Sequence, residues 1–300
     1  MLFPLIRSEK LGRFRALVPY YGSRYYHRNY RELLKPRWNI TNMFAGTLEV
    51  RLAESEKEIR WAKELRYQVF VKEMGARPSR KILKFRRDSD EFDEYCDHLL
   101  VIDRNVKRKN PVVGTYRLLR RSRASEIGRF YSESEFDISP ILKTRGEILE
   151  LGRSCVHKHY RDRATMQLLW RGIGAYVTHY DIKLLFGCAS FPGANPEVHA
   201  EHLSYLYNNR LAPEEFRARA APGRYIKMDS VSPELLDSNR LAATLPPLIK
   251  GYIRLGGVVG EGAVVDYAYN TTDICIILKI DLITEKYANR YTPSRNRNAE

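Results

Sequence analysis

The chain has 300 residues, 44% of them hydrophobic, so it is long enough for one large domain or two small ones with an ample core. Lys and Arg number 51 against 36 Asp and Glu, and the formal net charge of +15 favours an acidic partner: nucleic acid, an anionic membrane surface or an acidic carrier protein. No apolar run reaches the roughly 18 residues of a membrane-spanning helix, and the stretch MLFPLIRSEK lacks the features of a signal peptide. We therefore expect a cytoplasmic protein.

The N-terminal segment is unusually basic. Residues 1–40 hold nine Lys and Arg against two Asp and Glu. On a helix, Tyr26, Tyr30 and Leu33 would share one face, and basic side chains beside such aromatics are typical of segments that contact anionic lipid. An ordinary segment docked on the core and a nucleic-acid-binding arm are the alternatives, although no helix-turn-helix, zinc or RNA-recognition pattern supports the latter. We predict that residues 1–44 form a basic aromatic arm at the inner membrane surface, which would make the protein peripheral there.

The next segment predicts a strand followed by a capped helix. Residues 47–53 alternate as a strand does, and Ser55 with Glu58 forms a capping box that opens a helix ending at Gly75. A run of six cations and no acid then extends from residue 77 to residue 87. Such a run is usually a solvated loop, but it is also suited to docking an acidic carrier. The candidate docking residues are Arg77, Arg80, Lys81 and Lys84.

A short acidic patch, residues 88–94, precedes two strands, His98–Asp103 and Val112–Leu119, which we predict to pair as a hairpin. A loop-rich insert at residues 121–145 follows. An apolar β-run then begins at Ile148.

A βαβ unit is predicted at the centre of the chain. After the strand at residues 148–156, apolar residues recur at helical spacing from Met166 to Tyr180, and residues 184–189 form a short buried strand. Such a unit is right-handed, and the turn into its helix presents unpaired N–H groups and a positive dipole end that suit a phosphate. The candidate phosphate contacts are Lys158, Arg161, Arg163 and Thr165.

Within the first strand of this unit, Glu150 and Arg153 occupy positions where only apolar residues are expected. In a flat strand, residues three apart face opposite sides of the sheet, whereas a β-bulge at Gly152 would turn both to one face and splay the strand from its neighbour. The alternatives are a solvated ion pair at a strand edge and a buried acid and base at the mouth of a cleft. We favour the second because the following turn suits a phosphate, and we predict that Glu150 and Arg153 are catalytic.

The four cysteines are widely spaced, with no CxxC or metal-ligand spacing, which indicates a reduced cytosolic protein without a metal site. Cys155 is a candidate nucleophile, but a small core residue is the favoured interpretation.

The C-terminal third predicts helical additions and two last strands, and the whole order is that of a mixed α/β protein with a largely antiparallel sheet. The predicted elements are helices from Asn195, Ser232 and Pro247, strands Val258–Ala268 and Ile274–Ile280, and a polar tail at residues 291–300.

That order resembles the GNAT N-acyltransferase fold, with a splayed central strand in a mixed, mostly antiparallel sheet flanked by helices. Four elements are similar to acyl-homoserine-lactone synthases: LRYQVFVKEMGA, the D-x-x-D of Asp90 and Asp93, GTYRLL, and the E-x-x-R of Glu150 and Arg153. A closer resemblance is to the ornithine-acyl-ACP N-acyltransferase family, in ELGRSCVH, LLWRGIGAY, LLFGCASFPG, LPPLIKGYIRLGG and GEGAVVDYAYNTTD. The resemblance covers residues 45–290, which we predict to form the acyltransferase domain.

The resemblance implies an enzyme that moves a 3-hydroxyacyl chain from acyl carrier protein to the α-amine of L-ornithine, giving lyso-ornithine lipid. It implies no permanently bound cofactor, because the acyl chain arrives on 4'-phosphopantetheine as a co-substrate. Acetyl-CoA users of the wider fold carry Q/R-x-x-G-x-G/A ahead of the crossover helix, but residues 161–165 here read RDRAT. The missing glycines agree with a donor delivered on a carrier protein.

The resemblance also suggests roles for the site residues. Glu150 would take the ammonium proton, directly or through water, and Arg117 and Arg153 would clamp the carboxylate of the amino acid. Asp90 and Asp93 would hold the side-chain ammonium or position Arg117. Backbone N–H groups at the splay would stabilise the oxyanion.

Two other functions compete with this interpretation. An acyl-homoserine-lactone synthase would share the fold, although the long C-terminal third argues against it. A non-enzymatic nucleic-acid-binding protein is supported by charge alone, and we predict no nucleic-acid partner.

Overall fold

The computed structural model describes residues 43–106 and 110–283. Two predictions lie outside the described residues: the polar tail at residues 291–300 and the membrane-contacting arm, apart from its last two residues.

The described residues form strands and helices in the alternating order expected of a mixed α/β protein. The strands are β1 (Met43–Ala45), β2 (Leu48–Leu52), β3 (Asp97–Asp103), β4 (Val112–Arg120), β5 (Phe136–Asp137), β6 (Glu147–Val156), β7 (Ile182–Pro192), β8 (Arg219–Ala220), β9 (Val258–Asp266) and β10 (Thr271–Lys279). The helices are α1 (Glu56–Arg66), α2 (Arg80–Phe85), α3 (Arg121–Ile127), α4 (Ser139–Leu142), α5 (Arg163–His179), α6 (Ala200–Arg210), α7 (Ser238–Thr244) and α8 (Pro247–Arg254).

These strands form a sheet in the order β1-β2-β3-β4-β6-β7-β10-β9-β8-β5. Neighbours are antiparallel except for β6 with β7 and β8 with β9, which are parallel. The sheet is therefore mixed and mostly antiparallel, as predicted. The hairpin of β3 and β4 and the βαβ unit of β6, α5 and β7 are confirmed.

Helix α1 begins at its predicted cap, because the Ser55 side chain accepts a hydrogen bond from the Glu58 N–H. The Glu58 carboxylate binds Arg51 and the Glu54 N–H instead of completing a capping box. The helix continues as a π-helix over Tyr67–Glu73 and stops before Gly75, whose φ of +77° is left-handed.

Helices α1 and α5 cover opposite faces of the first half of the sheet. Successive side chains of β3 alternate between them: Leu100 packs with α1, whereas Leu99 contacts Gly172 of α5. Cys155 lies buried in the cluster under α1, and all four cysteines are free. The prediction that Cys155 is a core residue is confirmed.

Some predicted boundaries were wrong for local reasons. The basic run at residues 77–87 was expected to be a loop, but Ser79 caps α2 within it. At Ser232 there is only a short 3-10 turn, Pro233–Leu235, and the helix begins after Asp237, which caps α7. Strands β1, β5 and β8 were missed, because strands of two or three residues show no recognisable alternation of apolar and polar side chains.

Strands β6 and β7 separate in the centre of the sheet, which is the splay that the sequence predicted. Strands β6 and β7 pair only from Glu147 to Glu150, opposite Ile182 to Phe186. Beyond that point β6 stays with β4, and β7 stays with β10.

Among the described residues, no helix has both the length and the apolar character needed to cross a membrane.

Candidate active site at the strand splay

A β-bulge lies just beyond the start of the splay. Arg153 and Ser154 of β6 together lie opposite Tyr116 of β4, since Gly152 pairs with Arg117 on one side of them and Cys155 pairs with Thr115 on the other. Arg153 has a φ of +50°, which is uncommon for a residue with a side chain. The bulge therefore lies one residue after its predicted position at Gly152.

The bulge brings Glu150 and Arg153 to one aromatic residue, Tyr131. The carboxylate of Glu150 accepts a hydrogen bond from the Tyr131 N–H, with Oε2 3.0 Å from the nitrogen. The Arg153 guanidinium lies 4.6 Å from the centre of the Tyr131 ring and 4.4 Å from that of Tyr269. The two side chains therefore lie at the same site, because both contact Tyr131, and they form no ion pair with each other.

Glu150 is buried, with 4% of its surface exposed. Its second carboxylate oxygen accepts the Ser132 N–H at 2.7 Å. Burial raises the pKa of Glu150, and the hydrogen bonds from Ser132 and Tyr131 partly offset that rise. The alternative of a solvated ion pair at a strand edge is wrong, because Glu150 binds backbone N–H groups in the interior.

Arg153 belongs to a network of ion pairs formed by three arginines and three aspartates. Asp90 joins Arg117 to Arg153, with an Oδ1–Nη1 distance of 2.5 Å to the first and an Oδ2–Nη2 distance of 3.0 Å to the second. Arg66 in turn joins Asp93 to Asp88, at 2.6 and 2.7 Å. The nearby arginines and Lys63 hold the pKa of Asp93 well below its usual range, despite its burial. The network fixes the two guanidiniums at the splay.

The predicted substrate contact of Asp93 is wrong, because its side chain has no exposed surface and binds Arg66 and Lys63. Asp90 is partly exposed but binds Arg117 and Arg153. The two aspartates thus position arginines in this structure, which is the other role that the resemblance suggested for them.

Several site residues were missed from the sequence. Tyr131 and Tyr269 sandwich Arg153, and Asp88 accepts hydrogen bonds from Arg66 and the Tyr269 hydroxyl. One signal could have found Arg66, because it lies four residues after Ala62 and three before Val69 on the buried face of the helix. Nothing in the sequence spacing pairs it with residues 88 and 93.

Three of the four predicted phosphate contacts are exposed on the turn into α5. Thr165 is fully buried and its N–H binds Asp162, the acidic cap of α5, so Thr165 is removed from the predicted contacts. Lys158, Arg161 and Arg163 are exposed on this turn, where Arg161 pairs with Glu73. Their contact with a phosphopantetheine phosphate stays a prediction.

The predicted docking residues Arg77, Arg80, Lys81 and Lys84 are all exposed around α2. Within residues 43–106 and 110–283, no carboxylate oxygen lies within 4.0 Å of the charged nitrogens of these four side chains. Two large apolar side chains, Leu83 and Phe85, are about half exposed in the same helix. We call these six residues the basic docking surface.

Residues 65–171, which include the strands β3, β4 and β6 in full, match the family of Acetyltransferase (GNAT) domains. The fold and the domain match define the protein as a GNAT-type acyltransferase.

The chain is 46% identical to L-ornithine N(alpha)-acyltransferase from Agrobacterium fabrum, over 82% of this chain and 85% of that protein. It is 45% identical to the protein of the same name from Brucella abortus, over 84% of this chain and 91% of that one. The chain belongs to the L-ornithine N(alpha)-acyltransferase family.

Proposed function

We propose that this acyltransferase moves a 3-hydroxyacyl chain from acyl carrier protein to the α-amine of L-ornithine, and so makes lyso-ornithine lipid. The observation that carries the proposal is the name that four relatives share, L-ornithine N(alpha)-acyltransferase, at 43–46% identity over more than four-fifths of the chain. The site supports it in three ways.

The arginine network suits the carboxylate of an amino acid. Four cations (Lys63, Arg66, Arg117 and Arg153) form ion pairs with three carboxylates (Asp88, Asp90 and Asp93), so these paired side chains together carry one positive charge in excess. Arg117 and Arg153 share Asp90, the most exposed of the three acids. A substrate carboxylate beside Asp90 would balance the excess charge and fix the amino acid by paired hydrogen bonds.

Glu150 suits the proton transfer. The neutral α-amine attacks the thioester carbonyl, an N–C bond forms, and the C–S bond breaks to release the carrier thiol. The ammonium of the free amino acid must first lose a proton, and a carboxylate whose pKa is raised by burial is a better acceptor than an exposed one. Backbone N–H groups of β6 that no longer face β7 would donate to the oxyanion.

The regions proposed to bind the acyl donor suit a carrier protein better than free coenzyme A. The turn before α5 lacks the glycines typical of acetyl-CoA users, and Asp162 already caps the helix. The basic docking surface combines exposed cations, which form no ion pair among the described residues, with exposed Leu83 and Phe85, and this suits an acidic protein with an apolar patch. Its cations match the charge of an acidic carrier.

A lipid product would be released at a membrane. A molecule with one acyl chain and a charged head group partitions to the bilayer surface. The net charge of +15 favours an anionic leaflet, so we propose peripheral binding to the inner face of the cytoplasmic membrane.

The test uses the purified full-length protein with L-ornithine and 3-hydroxyacyl-carrier protein, followed by mass spectrometry. We expect a product with the mass of ornithine plus one 3-hydroxyacyl group, and fragmentation that places the amide on the α-nitrogen. The matching acyl-coenzyme A serves as the control donor and should react at least tenfold more slowly. Absence of an acylated ornithine with either donor would refute the proposal.

A further inference from the structure

A cluster of three carboxylates lies near Tyr131, and the sequence patterns assigned it no role. Glu135, Asp266 and Asp273 are buried, and one carboxylate oxygen from each lies within 4.8 Å of the other two. Glu135 follows the turn that carries Tyr131, whereas Asp266 and Asp273 come from β9 and β10. Three separate elements therefore bring these acids together.

The cluster contains buried polar atoms that the protein leaves unsatisfied. Glu135 Oε2 and Asp273 Oδ1 have no hydrogen-bond partner. The hydroxyls of Ser190 and Thr271 lie beside Asp273, and the Thr271 hydroxyl, two residues away on the same face of β10, is itself unsatisfied. Buried polar atoms are nearly always paired, so these orphaned atoms indicate a missing donor.

The electrostatics of the cluster also indicate that a positively charged partner is missing. Burial and the neighbouring acids raise the pKa of Glu135 to about 8 and that of Asp273 to about 6. The charge of Arg224 acts on Glu135, but its guanidinium donates to the carbonyl oxygens of Ser134 and Val265. Within the part of the chain that the structure describes, no lysine or arginine pairs with any of the three acids at 4.0 Å or less. The cluster is short of a cation.

A chain of contacts joins the cluster to Glu150. The Ser132 N–H binds Glu150, and the Ser132 hydroxyl lies 3.5 Å from the sulfur of Cys188 on β7. Cys188 in turn lies next to Glu135 and Asp273, and burial together with the charges of these two acids raises the pKa of its thiol. The carboxylate cluster and the proposed base are thus neighbours, separated by Ser132 and Cys188.

We infer that Glu135, Asp266 and Asp273 bind the side-chain ammonium of the amino acid substrate and select for a diamino acid. This inference rests on the proposed function. An ammonium group has three N–H donors, one for each carboxylate, and no acceptor that would be left unpaired. The charge of Arg153 acts on Asp273, so the cluster and the arginines that would bind the α-carboxylate are neighbours, and one amino acid would contact both.

The test compares L-ornithine with L-norvaline, which has the same carbon chain without the second amine. The variants are Glu135→Gln and Asp273→Asn, which keep the shape and remove the charge. An exposed acid outside the site, changed as Glu94→Gln, is the matched control. Binding of each amino acid to the full-length protein is measured by calorimetry, and turnover is measured with the same acyl donor. Circular dichroism confirms that each variant is folded.

We expect the parent protein and Glu94→Gln to prefer ornithine over norvaline by at least about 100-fold, since a site built for a polar group rejects the analogue that lacks it. Glu135→Gln and Asp273→Asn should each lose at least tenfold of that preference, mainly through ornithine affinity, while norvaline binding stays the same or improves. Folded variants that keep the full preference would overturn the inference but leave the proposed function intact. A parent protein that does not acylate ornithine would refute the proposed function itself.

A metal ion is the other occupant that the chemistry allows. If EDTA abolishes ornithine binding and Mg²⁺ or Mn²⁺ restores it only in proteins with an intact cluster, the cluster is a metal site and the inference is wrong. Ornithine binding that is unchanged by EDTA supports the inference.

Discussion

The carbonyl oxygen of Leu151 approaches Gly187 so closely that a Cβ atom on residue 187 would lie 2.2 Å from it. This contact falls where the parallel ladder of β6 and β7 ends, one residue after Glu150 and Phe186 pair. Any side chain at position 187 would force the two strands apart at the mouth of the cleft. The geometry of the splay thus depends on a glycine that the sequence did not single out.

Gly187→Ala should therefore destabilise the protein and lower its activity. We expect a loss of about 1–3 kcal/mol in the free energy of unfolding, the usual cost of overpacking, measured by urea denaturation. Gly223→Ala is the matched control, because a Cβ there meets nothing within 4 Å, and it should change stability by less than about 0.5 kcal/mol. Equal stability of the two variants would contradict the close approach.

The buried Arg66–Asp93 pair should be far more important for stability than an exposed pair of the same kind. Asp93→Asn leaves Arg66 with Asp88 as its remaining partner and removes a carboxylate that also pairs with Lys63 and Arg117, so the buried network loses charge balance at a cost of roughly 3–5 kcal/mol. Glu91→Gln breaks an exposed pair with Arg129 and should cost at most about 1 kcal/mol. Denaturant unfolding measures both, and a similar small loss in both variants would show that the network is not needed for folding.

Stability should fall as pH rises from about 6.5 to 8. Burial raises the folded-state pKa of Glu135 to about 8, so between its unfolded value of roughly 4.3 and that pH the folded state binds more protons than the unfolded state. The free energy of unfolding then declines by at most about 1.4 kcal/mol per pH unit. Below about pH 6.5, His98 opposes this trend, because burial lowers its pKa to about 4 and its neutral form stabilises the fold as pH rises.

Glu135→Gln should flatten that decline, and Glu94→Gln should not. Thermal unfolding of the ligand-free protein at several pH values checks this. The groups near Glu135 are Asp266, Asp273, Cys188 and Arg224. An unchanged slope in Glu135→Gln would show that Glu135 does not titrate in this range.

Charge reversal on the basic docking surface should weaken the use of a carrier-bound donor. The double variant Lys81→Glu with Lys84→Glu changes two exposed cations of α2. We expect KM for acyl-carrier protein to rise at least about tenfold at low salt, the difference to shrink as salt screens the charges, and KM for ornithine to stay constant. The double variant Arg60→Glu with Arg171→Glu, which reverses one exposed cation on α1 and one on α5, is the control with the same change in net charge. An equal effect of both changes would mean that docking depends on net charge alone.

Much of the fold was readable from the sequence, because the strands and the crossover helix carry strong periodic patterns. The splay was inferred from two polar residues in one apolar strand. The position of the bulge could not be inferred, because the left-handed φ of Arg153 depends on how β6 pairs with β4 rather than on the residue type. The contacts of Asp93 and Asp273 could not be predicted from the sequence either. Arg66 lies 27 residues before its partner Asp93, and Glu135 lies on a different element from its neighbour Asp273.

We propose that Arg153, which Asp90 holds at the splay, binds the amino acid that is acylated. The most direct test measures kcat/KM for L-ornithine with Arg153→Ala, and with Arg171→Ala as an exposed control, in proteins shown to be folded by circular dichroism. Loss of a buried guanidinium that binds a carboxylate costs about 2–5 kcal/mol, so we expect Arg153→Ala to lose at least about 30-fold and Arg171→Ala to match the parent protein. A folded Arg153→Ala enzyme with kcat/KM within about threefold of the parent would contradict the account.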